Sequence, residues 1–384
     1  MLKILHLASF TGNIGDNASN IGFGNILSRC LSDGYKITPI ELRKFYTNYT
    51  LPDKHFFDRA FVDLANAQDL VVMGGGGILS FDIEGSATGT TLDIGENIWK
   101  EITAPVLITS VGIIANAIVP AGNEEKFKSF VRLLLGRKKT VLALRNDGSH
   151  KALVRMFDKA ELEAIPQVLD SGFFYAPSGR VYDALPSKYI AINITREQIQ
   201  KGGGVIVIDE DVYYGEMRNV LRHILDATDM HIVFVPHIHG DLAAIVRVLD
   251  GLTDFTVRSR IQVAPHVQGD RGADLLFSIY KGSGLTLGTR FHANVCSLAM
   301  GVPCIGLVAQ PRVRAMYASL GLSHECVNLE GAFSSELIAA VDRMCLGKDA
   351  GDGTARRTMI DQERERTVNL YRQFFETLGL SARL

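Results

Sequence analysis

The sequence predicts an α/β protein of two domains, each a parallel sheet joined by crossover helices. Three observations carry this. Short β-rich runs alternate with helical patterns along the chain. A length of 384 residues with 47% hydrophobic content supplies two cores of ordinary size. Periodicity lapses around "YAPSGRVYDALPSK", residues 175–188, where Pro, Gly and Ser gather.

In the first half, "KILHLA" (3–8), "DLVVM" (69–73), "PVLITS" (105–110) and "TVLAL" (140–144) read as strands. Between the last two, "GNEEKFKSFVRLLLG" places Phe127, Phe130, Val131 and Leu134 at i, i+3, i+4 and i+7. That spacing makes one apolar helix face, with acids in the first turn and Gly136 at the stop. The second half resumes with strands "YIAINI" (189–194), "HIVFVP" (231–236), "IQVAP" (261–265), "GLTLG" (284–288) and "PCIGLV" (303–308). A glycine-rich break, "LGKDAGDGT" (346–354), precedes a final charged helix over 355–379. The expected division is an N-terminal domain 1–180, a C-terminal domain 181–346, and a tail 347–384 that could pack back on the first domain.

Charge is balanced, 40 Lys plus Arg against 42 Asp plus Glu, so no global field recruits nucleic acid or an acidic membrane. Any anion must be held by a local cluster. The five cysteines are scattered, odd in number and without a C-x-x-C pair, and read as reduced residues of a cytoplasmic protein. The opening "MLKILHLASF" lacks the cleavage site of a signal peptide, and no apolar run reaches the roughly 18 residues of a membrane span. Weak association with a membrane surface stays open, and oligomeric state is not read from the sequence.

Ligands of open parallel sheets collect at the carboxyl ends of strands. Four segments fall there. "TGNIGDNASN" (11–20) follows the first strand: Gly12 and Gly15 permit close approach, and Asn13, Asp16 and Asn17 offer ligand contacts or a helix cap by Asp16 or Asn17. "VVMGGGGILSF" sets Gly74–Gly77 after a strand, without the Lys-Ser/Thr of a Walker loop. Close substrate approach and tight packing fit it equally. "LALRNDGSHKAL" puts Arg145 just past a strand, to grip an anion or to form a surface pair with Asp147, and Ser149 at a helix cap.

The fourth is "GLTLGTRFHANVCSLAMG". A strand passes into a helix with Phe291, Val295 and Leu298 on one face, so Arg290 and His292 fall at the first turn. Two cations there oppose the helix dipole, which argues for a compensating bound anion and a proton donor beside it. The alternative pairs Arg290 with a neighbouring acid. "HIHGD" has the H-x-H-x-D spelling of some metal sites through His237, His239 and Asp241, but nothing completes the cluster, and no metal is expected. His237 and His239 read better as cleft-lining or capping residues. "PHIHGD" (236–241) and "PHVQGD" (265–270) form a short near-repeat after two strands.

These segments taken together resemble the polysaccharide pyruvyl transferase family. The resemblance rests on "GNIGDNA", "VVMGGGGILS", "LALRNDGS", "VPH" at 235–237, and above all "TRFHANVCSLAMGVPCIGL" followed by "QPRVRAMYASLGL". It implies a glycosyltransferase-B-like pair of Rossmann-like domains facing across a cleft, the first on the acceptor side and the second on the donor side. It implies phosphoenolpyruvate as donor substrate with no separate cofactor, and a sugar, oligosaccharide or lipid-linked saccharide as acceptor. The product would be a pyruvate ketal. It places Arg290 and His292 at the donor and matches Arg145 to a family arginine; His237, Arg312, Asn13, Gly75 and Gly76 are the further candidate binding residues. His292 is then the expected general acid or an aid to phosphate departure, and Asp16 and Asn13, from the opposite domain, are expected to orient the sugar, with Asp16 the candidate base. Phe291 stands where the family commonly has Leu, Asn146 intervenes before Asp147, and Arg312 replaces a usual lysine. Competing expectations are a nucleotide-sugar glycosyltransferase and a catalytically silent carbohydrate- or anion-binding relative.

Overall fold

The computed structural model describes residues 1–32, 34–113, 118–180, 182–200, 208–345 and 353–380. Most of the glycine-rich break at 346–354 therefore lies outside the described residues. The chain divides into two compact units. Met1–Thr11, Phe23–Ser171 and the chain from Glu363 onward form one; Gly12–Gly22 and Gly172–Gln362 form the other. The chain enters the second unit at Gly172, ahead of the Pro/Gly/Ser stretch, because Tyr175 is already buried in a core with Tyr189, Val233 and Phe277.

The first unit holds six parallel strands: β1 Leu2–Ala8, β2 Tyr35–Glu41, β3 Leu70–Gly74, β4 Val106–Val111, β5 Thr140–Arg145 and β6 Gln167–Val168. Their order is β2-β1-β3-β4-β5-β6. The inner strands β3 and β4 are buried at every residue, as sheets covered by helices on both faces require. Helix Asn123–Leu135 buries Phe127, Phe130, Val131 and Leu134, the face its spacing predicts. Helix Thr354–Thr377 contributes to this unit from Glu363 on. Tyr371 Oη lies 2.8 Å from Thr109 Oγ1, and Thr367 Oγ1 accepts from Leu169 N–H at 3.1 Å.

The second unit repeats the architecture with β7 Tyr189–Asn193, β8 His231–Phe234, β9 Ile261–Val263, β10 Leu285–Gly288, β11 Cys304–Val308 and β12 Cys326–Asn328. All are parallel, in the order β12-β11-β10-β7-β8-β9. The order reverses between β7 and β10, and at such a switch point neighbouring crossovers diverge to opposite faces and leave a crevice. In the first unit the reversal falls between β1 and β3.

β2, β6 and β12 are strands the sequence reading did not name, and each is a sheet edge. β2 carries Pro39 and a largely exposed face, so it lacks the apolar run that announces an inner strand. All five cysteines are free thiols, four of them buried. Burial raises Cys30 to about 11 and Cys304 to about 12, which keeps both protonated and unreactive.

His6 of β1 is buried between the rings of Phe10, 5.4 Å away, and Phe23, 5.1 Å away. Burial lowers its pKa from 6.5 to about 4. The unfolded chain therefore binds a proton below pH 6.5 that the folded chain refuses until about pH 4, so stability falls with pH across that window. Between pH 7 and pH 5 this one residue is expected to cost about 2 kcal/mol. Denaturant titration of His6→Leu at the two pH values should show an acid loss smaller by that amount than in the unaltered protein; equal losses would refute the assignment.

Candidate functional site

The carboxyl end of the second sheet is organised by Asn193, the last residue of β7. Its Nδ2 donates to Val235 O, just past β8, at 3.0 Å, and its Oδ1 accepts from Arg290 N–H at 2.9 Å. Its carbonyl accepts from Thr289 Oγ1 at 2.9 Å. One side chain thus ties the ends of β7, β8 and β10 across the switch point. Beyond β10, the Asn294 side chain donates to Gly288 O at 2.8 Å and to Arg290 O at 2.9 Å. A Cβ on Gly288 would fall 2.9 Å from that amide, so the glycine makes room for the bond that shapes the turn.

Arg290 is the N-cap of helix Phe291–Ala299. Its Nε donates to Asp241 Oδ2 at 2.8 Å, and its Nη2 to Asp241 Oδ1 at 2.6 Å and to Thr195 Oγ1 at 3.0 Å. Glu197 Oε2 lies 3.7 Å from Nη2. Asp241, in the first turn of helix His239–Leu249, is 0% exposed and also accepts from His237 N–H at 2.9 Å. Burial works to lower the pKa of Arg290, but the hydrogen bond and charge of Asp241, with Glu197, outweigh it and leave it above the ordinary value. Nη1 makes no hydrogen bond among the described residues, and the side chain keeps a narrow exposed edge.

Of the two readings of the helix-start cations, the structure shows the pairing of Arg290 with an acid of the protein, Asp241. The "HIHGD" spelling serves this pairing, and among the described residues no group of three His, Cys, Asp or Glu could hold a metal. His237 is 0% exposed, with Nε2 2.9 Å from Tyr280 Oη. Burial first, then the charges of Arg290 and His292, push its pKa well below 6.5, so it is a neutral support behind Arg290 and does not line an open surface. His239 instead lies exposed, its ring 6.5 Å from that of His266.

His292 is buried to 7% exposure in the first turn of the same helix, its ring edge-on to Phe291 at 5.6 Å. Arg312, near the start of helix Pro311–Ser319, lies over the other aromatic, 5.9 Å from the Phe291 centroid. The two departures noted at 291 and 312 therefore touch. Phenylalanine gives a guanidinium a face to stack on that leucine would not.

The segment Gly12–Gly22 belongs to this second unit, not to the first as the sequence expectation for Asn13 and Asp16 has it. Ile14 and Ala18 pack in the core with Tyr175 and Phe277, and Asn17 Nδ2 donates to Asp270 Oδ1 at 2.9 Å. The cap of helix Ile14–Cys30 is Asn13, whose Oδ1 accepts from Gly15 N–H at 2.9 Å; neither Asp16 nor Asn17 fills that place. A Cβ on Gly15 would fall 2.5 Å from His292 Nδ1 and 2.7 Å from its Cβ. Gly15 thus admits the histidine, where the sequence suggested a ligand. Asp16 is half-buried beside it in sequence.

The remaining candidates lie in the first unit. Gly75 and Gly76 have φ of 79° and 77°; Gly75 N–H donates to Thr109 O within β4, and Gly76 O accepts from Gly112 N–H just past it. Arg145 is 1% exposed; its Nε donates to Asp147 Oδ2 at 2.5 Å and its Nη1 lies 3.4 Å from Asp170 Oδ2. The pair that the sequence offered with Asp147 as a surface contact is instead a buried network, in which Asp147 faces Nε and Asp170 faces Nη1. Ser149 begins helix Ser149–Leu153 and donates to Asp147 Oδ1; the cap is Gly148. Asp241, Asn193, Thr195 and Asp270 are site residues that sequence reasoning did not assign. The H-x-H-x-D spelling marked Asp241, and the shared "GD" of the two near-repeats marked both aspartates: each lies in the first turn of a helix and holds a polar partner.

The model of the polysaccharide pyruvyl transferase family matches residues 13–310, and the chain belongs to that family of transferases. No curated protein matches it in sequence. Among solved structures, a UDP-GlcNAc 2-epimerase of Methanocaldococcus jannaschii is 14% identical, with a TM-score of 0.55 over 94% of this chain and 99% of that one. An enzyme of Listeria monocytogenes described as a putative UDP-N-acetylglucosamine 2-epimerase is 12% identical, with a TM-score of 0.57 over 94% of each chain. The S. aureus MnaA–UDP structure gives 12% and 0.54, over 99% and 98%. At such identities the likeness is one of fold, glycosyltransferase-B-like with two Rossmann-like units.

Two substitutions test the site's construction. Asp241→Ala leaves a buried guanidinium without its carboxylate and should destabilise the protein by about 3–5 kcal/mol in denaturant titration. Gly15→Ala should gain about 1 kcal/mol from helix propensity yet lower Tm, since a Cβ against the base of His292 costs about 1–3 kcal/mol. A raised Tm would show that the ring yields freely.

Proposed function

We propose that this member of the polysaccharide pyruvyl transferase family moves the pyruvyl group of phosphoenolpyruvate onto a pair of hydroxyls of a sugar in a polysaccharide or its precursor. The observation that carries the reading is a guanidinium locked by Asp241 and Thr195 at the sheet's switch point, with Nη1 left without a partner among the described residues and His292 two residues on. Such a group is pre-aimed: its geometry is fixed before a ligand arrives, so little ordering entropy is spent on binding.

In this reading Nη1 of Arg290 donates to the phosphate or carboxylate of the donor, and Arg312 adds charge at the next helix start. The helix amides after Arg290 face the same anion. The donor's methylene carbon takes a proton, turning the central carbon into an oxocarbenium-like centre. A sugar hydroxyl adds there and gives up its proton. The central carbon's bond to the phosphate oxygen then breaks, the phosphate leaves with the electron pair, and the second hydroxyl closes the ketal as its proton departs. His292 is the proton donor in this sequence and Asp16 accepts from the attacking hydroxyl. Arg145 and His237, held in buried networks, support the strand ends and do not touch the donor. No helix among the described residues is long and apolar enough to cross a membrane. The reading is of an enzyme acting on cytoplasmic donor, with no separate cofactor, on a free or lipid-linked acceptor.

Calorimetric titration of phosphoenolpyruvate, run beside circular dichroism to verify folding, tests the donor. Arg290→Lys keeps the charge but loses the fork, and should weaken binding at least tenfold. His292→Gln should bind near normally while phosphate release with an acceptor falls 10²-fold or more. If the unaltered protein binds UDP and ignores phosphoenolpyruvate, the nucleotide-sugar glycosyltransferase reading replaces this one.

A further inference from the structure

At the opposite, amino end of the second sheet, beneath β11 and β12, lies a cavity of about 440 Å³. Its floor is aliphatic: Pro303, Ile305, Ala340 and Met344. Its rim is cationic, with three arginines against one glutamate. Arg356 is already held by Glu325, Nη2 to Oε1 at 2.5 Å and Nε to Oε2 at 3.1 Å. Arg343 and Arg357 are exposed, and neither has a hydrogen-bond or ion-pair acceptor among the described residues. They come from two different helices, Ser334–Cys345 and Thr354–Thr377, so their convergence on one hollow is a product of the fold and not of sequence adjacency. The guanidinium of Arg357 rests against Gly301, where a Cβ would lie 3.2 Å from its Nη2.

Two open guanidiniums fit the charge and bidentate geometry of a phosphate. The volume exceeds that of a bare ion and lies in the range of pockets for small organic ligands, and the aliphatic floor offers a seat for more than an anion. We propose that this cavity binds an organic phosphate, its phosphate held by Arg343 and Arg357 and its less polar portion seated on Pro303, Ile305 and Met344. The site is separate from the one built on Arg290: the two lie at opposite ends of the same sheet, and the proposal does not depend on the donor assigned above.

The phosphate could be carried by a soluble metabolite or by a lipid, and two arms separate these. Titration calorimetry with uridine monophosphate reads the first. Co-sedimentation with phosphatidylcholine vesicles containing phosphatidic acid, against vesicles without it, reads the second. The expected result is saturable binding in at least one arm, reduced tenfold or more in Arg343→Ala/Arg357→Ala, unchanged in Arg290→Lys, and absent for uridine. Both arginines are exposed, so the double variant should keep its Tm, and matching Tm values verify this. Binding that persists at full affinity in the double variant, or absence of binding in both arms, overturns the proposal. Uridine monophosphate binding lost in Arg290→Lys but kept in the double variant overturns it equally, by assigning the phosphate to the other end of the sheet.

Discussion

The pairing of Arg290 with Asp241 is the interaction on which the second unit's functional end depends. Two ions are taken out of water where the sheet order reverses, and neither could be buried alone. Each also fixes backbone: Arg290 caps one helix, Asp241 accepts from the turn that opens another, and Asn193 binds the Arg290 amide to the end of β7. The pair therefore sets the positions of two helix starts and three strand ends at once. What is left over, a single guanidinium nitrogen without a hydrogen bond among the described residues, is a by-product of that structural role, which also holds it rigid.

The neighbouring histidine is held by a different logic, one of space. His292 occupies room that exists because Gly15 has no side chain, and the first turn that contains Gly15 is anchored through Asn13, Asn17 and Asp270. The motif after the first strand and the motif after β10 are therefore two halves of one packing arrangement, nearly three hundred residues apart in sequence.

Much of the fold was legible because inner parallel strands are apolar throughout and helices between them keep one apolar stripe. The edge strands β2, β6 and β12 escaped because an edge needs no such run, and β2 even carries a proline. Arg290 and His292 stood out because charge between a buried strand and an apolar helix is unusual. Asp241 did not, since its partner lies 49 residues away and its local spelling imitates a metal site. Arg145 shows the same limit from the other side. A charged residue past a strand end looks like a ligand-binding group until Asp170, 25 residues on, is found beside it.

Helix Phe291–Ala299 has an uncommon property: from Phe291 to Leu298 it has no exposed side chain. Most surface helices can drift in sequence on one side, and their solvent face absorbs change without consequence. This one has no such side, so its eight residues from Phe291 to Leu298 are constrained all round, by β10, β11 and the segment from Gly12 to Gly22 as well as by chemistry. A segment of that kind makes a poor record of function taken residue by residue, because packing alone would preserve it. The informative positions are those where packing would be served as well by something else. His292 pressed against Gly15 is such a position: a small apolar side chain would fill the same room without a titratable ring, so packing by itself does not call for a histidine.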